Sequence, residues 1–529
     1  MKKLLQLFSI AVFITSCASI EKYNEQVSKL HSVEAIHKDI DKVYKQLQRL
    51  HPRLYQFNSK ETLDYKFDSL KKAINRPITS RTFYKKLATV TKSVGQGHMS
   101  VSPPSKKRDK KERKALNLMK FDVNNLDFEY VEDKLIVANA KGNDSLLINA
   151  EVLKIEDHSI NDLMNTYKKR VASDGYNTTF YNRVIGKRIL SYYSYDVGRF
   201  DSLKITFKNL DSTFIKSYKR MVKAKPKDSL KIDSTTAVKP KVKLTKLERK
   251  AKKLKWKKKL KERHKYGYDY KTKENTRSLS FIGNDSTIAL LKIKGFKNGK
   301  FEPFYDETFA TLDSLKTKTL VIDLRNNFGG RLDEIDYLYS YLTNTNYTFI
   351  NKSEINTRFP VLKSLMSNSR SFGSKLVAGL LSPGLVVADI LRVSKKDGQL
   401  YYRFKSSKEQ EPKPLNFKGE IYVLINGNSF SASSVLSTQL KGSKRAIFVG
   451  EETGGAYNGT VAGIYKIYEL PNTKVKARIG LMHIDSKFKT DPDGFGVKPD
   501  ITIIPTLADR LNRIDPELEW ILNDIKTKK

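Results

Sequence analysis

Four serines, Ser429, Ser431, Ser433 and Ser434, crowd the short stretch NSFSASS. A serine hydroxyl is a weak nucleophile near neutral pH. It attacks a carbonyl only when a base takes its proton and donors hold the developing oxyanion. The surrounding pattern supplies donors. IYVLI, starting at Ile421, is apolar, β-branched and aromatic, and reads as a buried strand. NGNS is a turn signal, after which Ala432, Val435, Leu436, Gln439 and Leu440 keep helical spacing up to Gly442. Strand, tight turn and helix would set the helix N-terminus, with its free N–H groups and partial positive charge, beside whichever serine the turn exposes. A plain serine-rich N-cap looks the same locally. RAIFVGE reads as the next strand. TLVIDLRNNFGG repeats the logic: VIDL is a buried strand, and Gly329-Gly330 opens a helix where the backbone can approach a neighbour closely. For a base there are seven histidines, of which His98 follows the turn Gly95-Gln96-Gly97. For a carboxylate, DPDGFGVKPDITI offers Asp491, Asp493 and Asp500, although it also reads as an ordinary turn rich in Asp, Pro and Gly.

NSFSASS followed by VGEETGG resembles the nucleophile region of the C-terminal-processing (tail-specific) serine proteases and of their tricorn and interphotoreceptor-retinoid-binding-protein-like relatives. On that pattern the nucleophile is Ser431 and the N–H of Ala432 is one oxyanion donor; Ser429, Ser433 and Ser434 are its local rivals. DLRNNFGG is similar to a second hallmark of the family, whose glycine, Gly329 or Gly330 here, gives the other donor. GHMSV resembles the segment where the tricorn-like branch carries its general base, which makes His98 that base. The GVKPD portion resembles the end of the tricorn-like catalytic domain and gives Asp493 an active-site role, orienting His98 or a connecting polar group, with Asp491 and Asp500 as rivals. Many tail-specific proteases use a lysine base instead. The aligned position here is Ala456, and no Lys occurs from Ala446 to Tyr465, so the pattern fits the histidine-using branch. The resemblance implies an α/β chain with a crotonase-like (ClpP/crotonase) catalytic domain, no metal, no organic cofactor, and hydrolysis of peptide bonds in proteins or peptides. Two other readings stand beside it: a binding protein that keeps the fold without turnover, and an envelope interaction lipoprotein acting through its basic insertion.

The chain has 529 residues, 99 Lys and Arg against 57 Asp and Glu, and a formal charge of +42. Its one cysteine, Cys17, excludes an internal disulfide. Met1-Lys2-Lys3 and the apolar run Leu4 to Ile14, too short to span a bilayer, read as a signal peptide. Ile14-Thr15-Ser16-Cys17 resembles a bacterial lipoprotein cleavage box, which makes Cys17 the lipid-bearing residue and residues 1–16 the leader. Membrane attachment through that lipid and a cell-envelope location follow, with Ala18-Ser19 leaning toward an outer membrane facing the periplasm.

Along the chain, residues 17–97 read as a helical domain: Ile36, Ile40, Val43, Leu47 and Leu50 form an amphipathic stripe that stops at His51-Pro52, and further helices are expected near Lys60–Ile74 and Ser80–Val94. Residues 98–215 read as β-rich, and EVLKIEDHSINDLMNTY is similar to the strand and long helix of a degenerate PDZ-like domain. Residues 216–277 hold 25 Lys and Arg against 6 Asp and Glu, a net +19, and read as a solvated insertion. Within it, 244–265 is a candidate basic helix for anionic lipid, with Trp256 and Leu260 as anchors. Behind a leader peptide, nucleic acid is not the expected partner. Residues 278–510 form the expected catalytic domain, broken by an insertion at 350–415. There KLVAGLLSPGLVVADIL is apolar, but its proline and two glycines argue against a membrane span. Residues 511–529 read as a final helix.

Overall fold

The computed structural model describes residues 20–222 and 245–528. Cys17, the leader 1–16 and the first part of the basic insertion lie outside the described residues. The amphipathic stripe forms the helix Val33–Leu50, capped by Ser32, with Ile36, Ile40, Val43, Leu47 and Leu50 all buried. Helices Lys60–Lys72 and Ser80–Lys92 pack beside it.

Around these helices the chain is a mixed α/β protein with three six-stranded sheets. The first runs in the order Arg277–Ile282, Ile288–Ile293, Thr319–Asp323, Glu420–Ile425, Ile447–Gly450 and Ile501–Thr502. Its first pair is antiparallel and the rest are parallel. Parallel strands covered on both faces are continuously apolar. In keeping with that, Ile421 to Ile425 are all buried. One face shares a single core with the N-terminal helices; the other face, with Val321, Tyr422, Leu424 and Val449, is closed by Ile521 and Ile525 of the last helix, Pro516–Thr527. The second sheet contains the long hairpin Gly459–Glu469 and Lys476–Asp485, turned at Pro471-Asn472-Thr473, and the short strand Ser100–Ser102 pairs with it just beyond His98. The third sheet is Leu126–Val131, Lys134–Ala140, Glu151–Ile155, Ser202–Asn209 and Ser212–Lys219, with the short strand His158–Ser159 paired to the third of these and helix Ile160–Lys168 directly after it. It builds a separate core from residues 121–218, which takes in one outsider, Phe430.

Two features differ from the sequence reading. The strand Ser212–Lys219 runs across position 215, and Arg277 at the far end is fully buried against Glu334 at 3.0 Å, so the Lys-rich insertion is rooted in the fold at both ends. Its described helix, Lys246–Lys265, has no buried residue. The insertion 350–415 also has regular structure. It carries the strand Ser353–Ile355, the helices Pro360–Leu365, Phe372–Leu380 and Ser382–Arg392, and the hairpin Val393–Lys396 and Gln399–Tyr402 that extends the second sheet.

Candidate active site

The loops at the ends of strands Thr319–Asp323 and Glu420–Ile425 hold each other. The side chain of Asn426 accepts from the N–H of Asn326 (3.0 Å) and of Asn428 (3.1 Å), and Asn428 donates to the Asn326 side chain (2.8 Å). The N–H of Phe430 donates to the carbonyl of Asn327 at 3.0 Å. Between these fixed points Ser431 sits at φ +60°, ψ −124°, directly before helix Ala432–Gly442. A side-chain-bearing residue at positive φ is strained and persists only where its surroundings hold it. This is the sharp strand-to-helix turn the sequence suggests.

Ser431 Oγ lies 2.9 Å from His98 Nε2, and His98 Nδ1 lies 3.1 Å from Thr460 Oγ1. His98 is brought there by its place between helix Ser80–Lys92 and strand Ser100–Ser102. Its ring stacks on Phe430 at 4.6 Å and on Tyr465 at 5.9 Å. Behind Thr460 stands a buried carboxylate, Asp174. It accepts from the N–H of Gly97 (2.7 Å) and of Ala456 (3.3 Å), and Thr460 also hydrogen-bonds it. Counting donors fixes one consistent arrangement: Ser431 O–H to His98 Nε2, His98 Nδ1–H to Thr460, Thr460 O–H to Asp174. Burial, with the nearby Arg478 adding to it, pushes the His98 pKa down to about 3, so its imidazole is neutral and Nε2 can accept. Burial pushes the Asp174 carboxyl up to about 6, against the opposing pull of its three hydrogen bonds.

Of the rival serines, two are hydrogen-bonded elsewhere and the third is shut in the interior, its hydroxyl without a partner among the described residues. Ser429 is fully buried, donates to the carbonyl of Leu324 (2.8 Å) and accepts from Asn426. Ser434 donates to the carbonyl of Ser429 (2.8 Å), and Ser433 is fully buried. Of the two glycines, Gly329 is pressed against the turn: a Cβ there, at φ +87°, would lie 2.7 Å from both Ala432 N and Ser431 Cβ. Its own N–H, however, donates to Asn327 Oδ1 at 2.9 Å. The N–H groups of Gly330 and Ala432 have no acceptor among the described residues, which leaves those two for an oxyanion.

Asp493 does not contact His98. It accepts from Gln56 Nε2 (2.8 Å) and from the N–H of Gly494 (2.7 Å). Gln56 accepts from Gln96, which in turn accepts from the N–H of Val461, next to Thr460. Asp491 is exposed, while Asp500 caps Phe448 N (2.8 Å) and pairs with Lys441. The position facing His98 Nδ1 therefore belongs to Thr460 and Asp174. Neither announces itself in the sequence. Thr460 lies inside a strand, and Asp174-Gly175 reads only as a turn.

A cavity of about 460 Å³ opens onto Ser431, walled by Leu332, Ile335, Val435, Ala462, Ile464 and Tyr465. One lysine, Lys405, lines it. Among the described residues no group of three or more His, Cys, Asp or Glu side chains could hold a metal ion.

Residues 287–503 match the sequence model of peptidase family S41. No curated protein matches the chain. Among solved structures, mature CPAF complexed with lactacystin is similar over 93% of this chain and 98% of its own, at 15% identity and a TM-score of 0.58. A second structure of mature CPAF covers 90% and 94% at 14% identity and 0.54. The photosystem II D1 C-terminal processing protease covers 89% and 94% at 12% identity and 0.41. At such identity the likeness to CPAF is one of fold. The serine turn lies inside the matched segment, so residues 287–503 are a peptidase family S41 domain, and the chain carries the catalytic domain of a serine-type peptidase.

Proposed function

We propose that this peptidase cleaves internal peptide bonds with Ser431 as nucleophile and His98 as general base. The observation that carries the reading is the 2.9 Å approach of Ser431 Oγ to a buried, neutral imidazole. His98 takes the hydroxyl proton as Oγ attacks the carbonyl carbon. The N–H groups of Ala432 and Gly330 receive the oxyanion, and the imidazolium then gives its proton to the leaving amine. Water attacks the acyl-enzyme by the same route. Thr460 and Asp174 hold the tautomer that keeps Nε2 free, and Asp493 acts at one remove, through Gln56 and Gln96. The apolar cavity beside Ser431 suits an apolar substrate side chain.

In the same reading the parallel sheet with its two crossed loops is the crotonase-like catalytic domain and the 121–218 core is a degenerate PDZ-like module. Cys17 carries lipid and places the enzyme in a bacterial envelope, on the outer membrane facing the periplasm. The helix Lys246–Lys265, with Leu254 and Trp256 exposed, adds contact with anionic lipid.

Acylation by a fluorophosphonate probe tests the chemistry. Ser431→Ala should abolish labelling, His98→Ala should slow it by roughly 10⁴-fold, and the double variant should be no worse than Ser431→Ala. Labelling of His98→Ala at the wild-type rate would remove His98 from the mechanism.

A further inference from the structure

The insertion 350–415 presents an apolar surface that nothing in the described chain covers. Helices Phe372–Leu380 and Ser382–Arg392 meet at a 62° bend. Along them Leu376, Val377, Leu380, Leu381, Ile390 and Leu391 are each more than half exposed. Single exposed aliphatics are ordinary, but a contiguous group of this size is a contact surface.

Charge identifies the occupant. Between 370 and 397 five Lys and Arg stand against two carboxylates: Asp389, which is fully buried and faces the N–H groups of Val361 and Leu362 on the protein side, and the exposed Asp397 at the turn after Lys396. The exposed Arg370, Arg392, Lys395 and Lys396 flank the apolar legs, and none of them has an ion-pair partner among the described residues. An apolar surface rimmed by an excess of cations matches the boundary between acyl chains and anionic headgroups. Neither leg alone is long enough to cross, and the 62° bend breaks the pair as a straight span. Nine and eleven residues reach about 14 and 17 Å, against a hydrocarbon core of about 30 Å. We infer that the bent helix pair 372–392 is a membrane-dipping element seated in the interfacial layer of a bilayer containing anionic lipid. It works whether or not Cys17 carries lipid. It is also continuous, through the hairpin ending at Tyr402, with Phe404, Lys405 and Ser406 of the cavity wall, so it would hold the cleft at a fixed height above the membrane.

The test uses the full chain with Cys17→Ser and a single new cysteine carrying an environment-sensitive fluorophore. One version is Val387→Cys, on the exposed face, and the control is Tyr65→Cys, on the N-terminal helices. With phosphatidylglycerol–phosphatidylcholine vesicles, the label at 387 should shift to the blue and be quenched by doxyl-labelled acyl chains, and the label at 65 should not. Adding Leu380→Asp and Leu391→Asp should weaken the partitioning read at 387 by about a hundredfold and leave fluorophosphonate labelling unchanged. Two outcomes overturn the inference: no shift at 387 on vesicles, or a shift that appears without lipid as protein concentration rises, which would make a second copy of this chain the occupant.

Discussion

At the scale of single residues, the site is a Ser–His pair whose third member is a hydroxyl. A carboxylate bonded directly to an imidazole gives about 10⁴-fold through tautomer and charge; acting through Thr460, Asp174 should give less. Asp174→Asn and Thr460→Val are each expected to lower kcat/KM by roughly tenfold to a hundredfold, with KM little changed. The pH profile separates this from a mere packing effect. His98, held near 3, is neutral throughout the neutral and mildly acidic range, so its protonation does not set the acid limb. Asp174 is ionised only above about 6. Wild-type kcat/KM should therefore fall as pH drops through about 6, and Asp174→Asn should be slower and flat across that region. A limb near 6 that survives in Asp174→Asn would detach Asp174 from the reaction. The turn was legible because strand, turn and helix pattern are local, and the resemblance to the tail-specific proteases picked Ser431 out of its four serines. Asp174 was not legible, because its role depends on a fold that brings it from outside the catalytic segment to the N–H groups of Gly97 and Ala456, and nothing near it in the chain encodes that meeting.

At the scale of elements, the hinge of the site is one ring. Phe430 precedes the nucleophile, belongs to the 121–218 core, and stacks on Phe180 at 4.5 Å and on His98 at 4.6 Å. Gly97 leaves room for it: a Cβ there would sit 2.7 Å from Phe430 Cζ. Gly97→Ala should push that ring against the imidazole and lower kcat/KM by about a hundredfold, the scale of a 1 Å misplacement. Phe430→Leu in the same chain should recover part of the loss. A Gly97→Ala enzyme with wild-type kinetics would show that the ring has slack. The glycines in GQGH were readable as a turn; the steric reason for Gly97 was not, since it lies on a neighbouring element. The N-terminal helices and the central parallel strands were readable, because apolar spacing reports burial directly; the helices of 350–415 were not, since their apolar residues are mostly exposed or half-buried. The extent of the Lys-rich insertion was read too widely at both ends, because Lys216 and Arg277 are charged by composition yet sit in or beside strands, where Asp144 and Glu334 pair with them.

At the scale of the whole molecule, several histidines are buried uncharged. Burial holds His51 and His98 near 3 and His483 near 4, and no ring nitrogen of His51 or His483 has a hydrogen-bond partner. The unfolded chain takes up these three protons near 6.5 and the folded chain does not, so stability is lost as pH falls from about 6.5 toward 4. Asp174 acts in the opposite sense. Its raised pKa means the folded state binds a proton between about 6 and 3.8, which offsets one of the three. From these four groups the unfolding free energy should drop by roughly 3 kcal/mol per pH unit between pH 6 and 4. Urea titrations at several pH values check this, and His51→Leu should make the dependence shallower by about one proton. An unchanged slope in that variant would mean that His51 is solvated or paired in solution.

The Ser431–His98 hydrogen bond joins positions 333 residues apart, and Asp174 comes from yet another module. No contiguous fragment holds both members of this hydrogen-bonded pair without the 333-residue span between them. A chain emerging from the ribosome shows its histidine long before its serine exists, and the ring beside that serine stays unanchored until a different core has closed. The half-made polypeptide is therefore chemically silent. Its own loose segments, the best substrates in reach, are safe from it until the moment they are no longer loose.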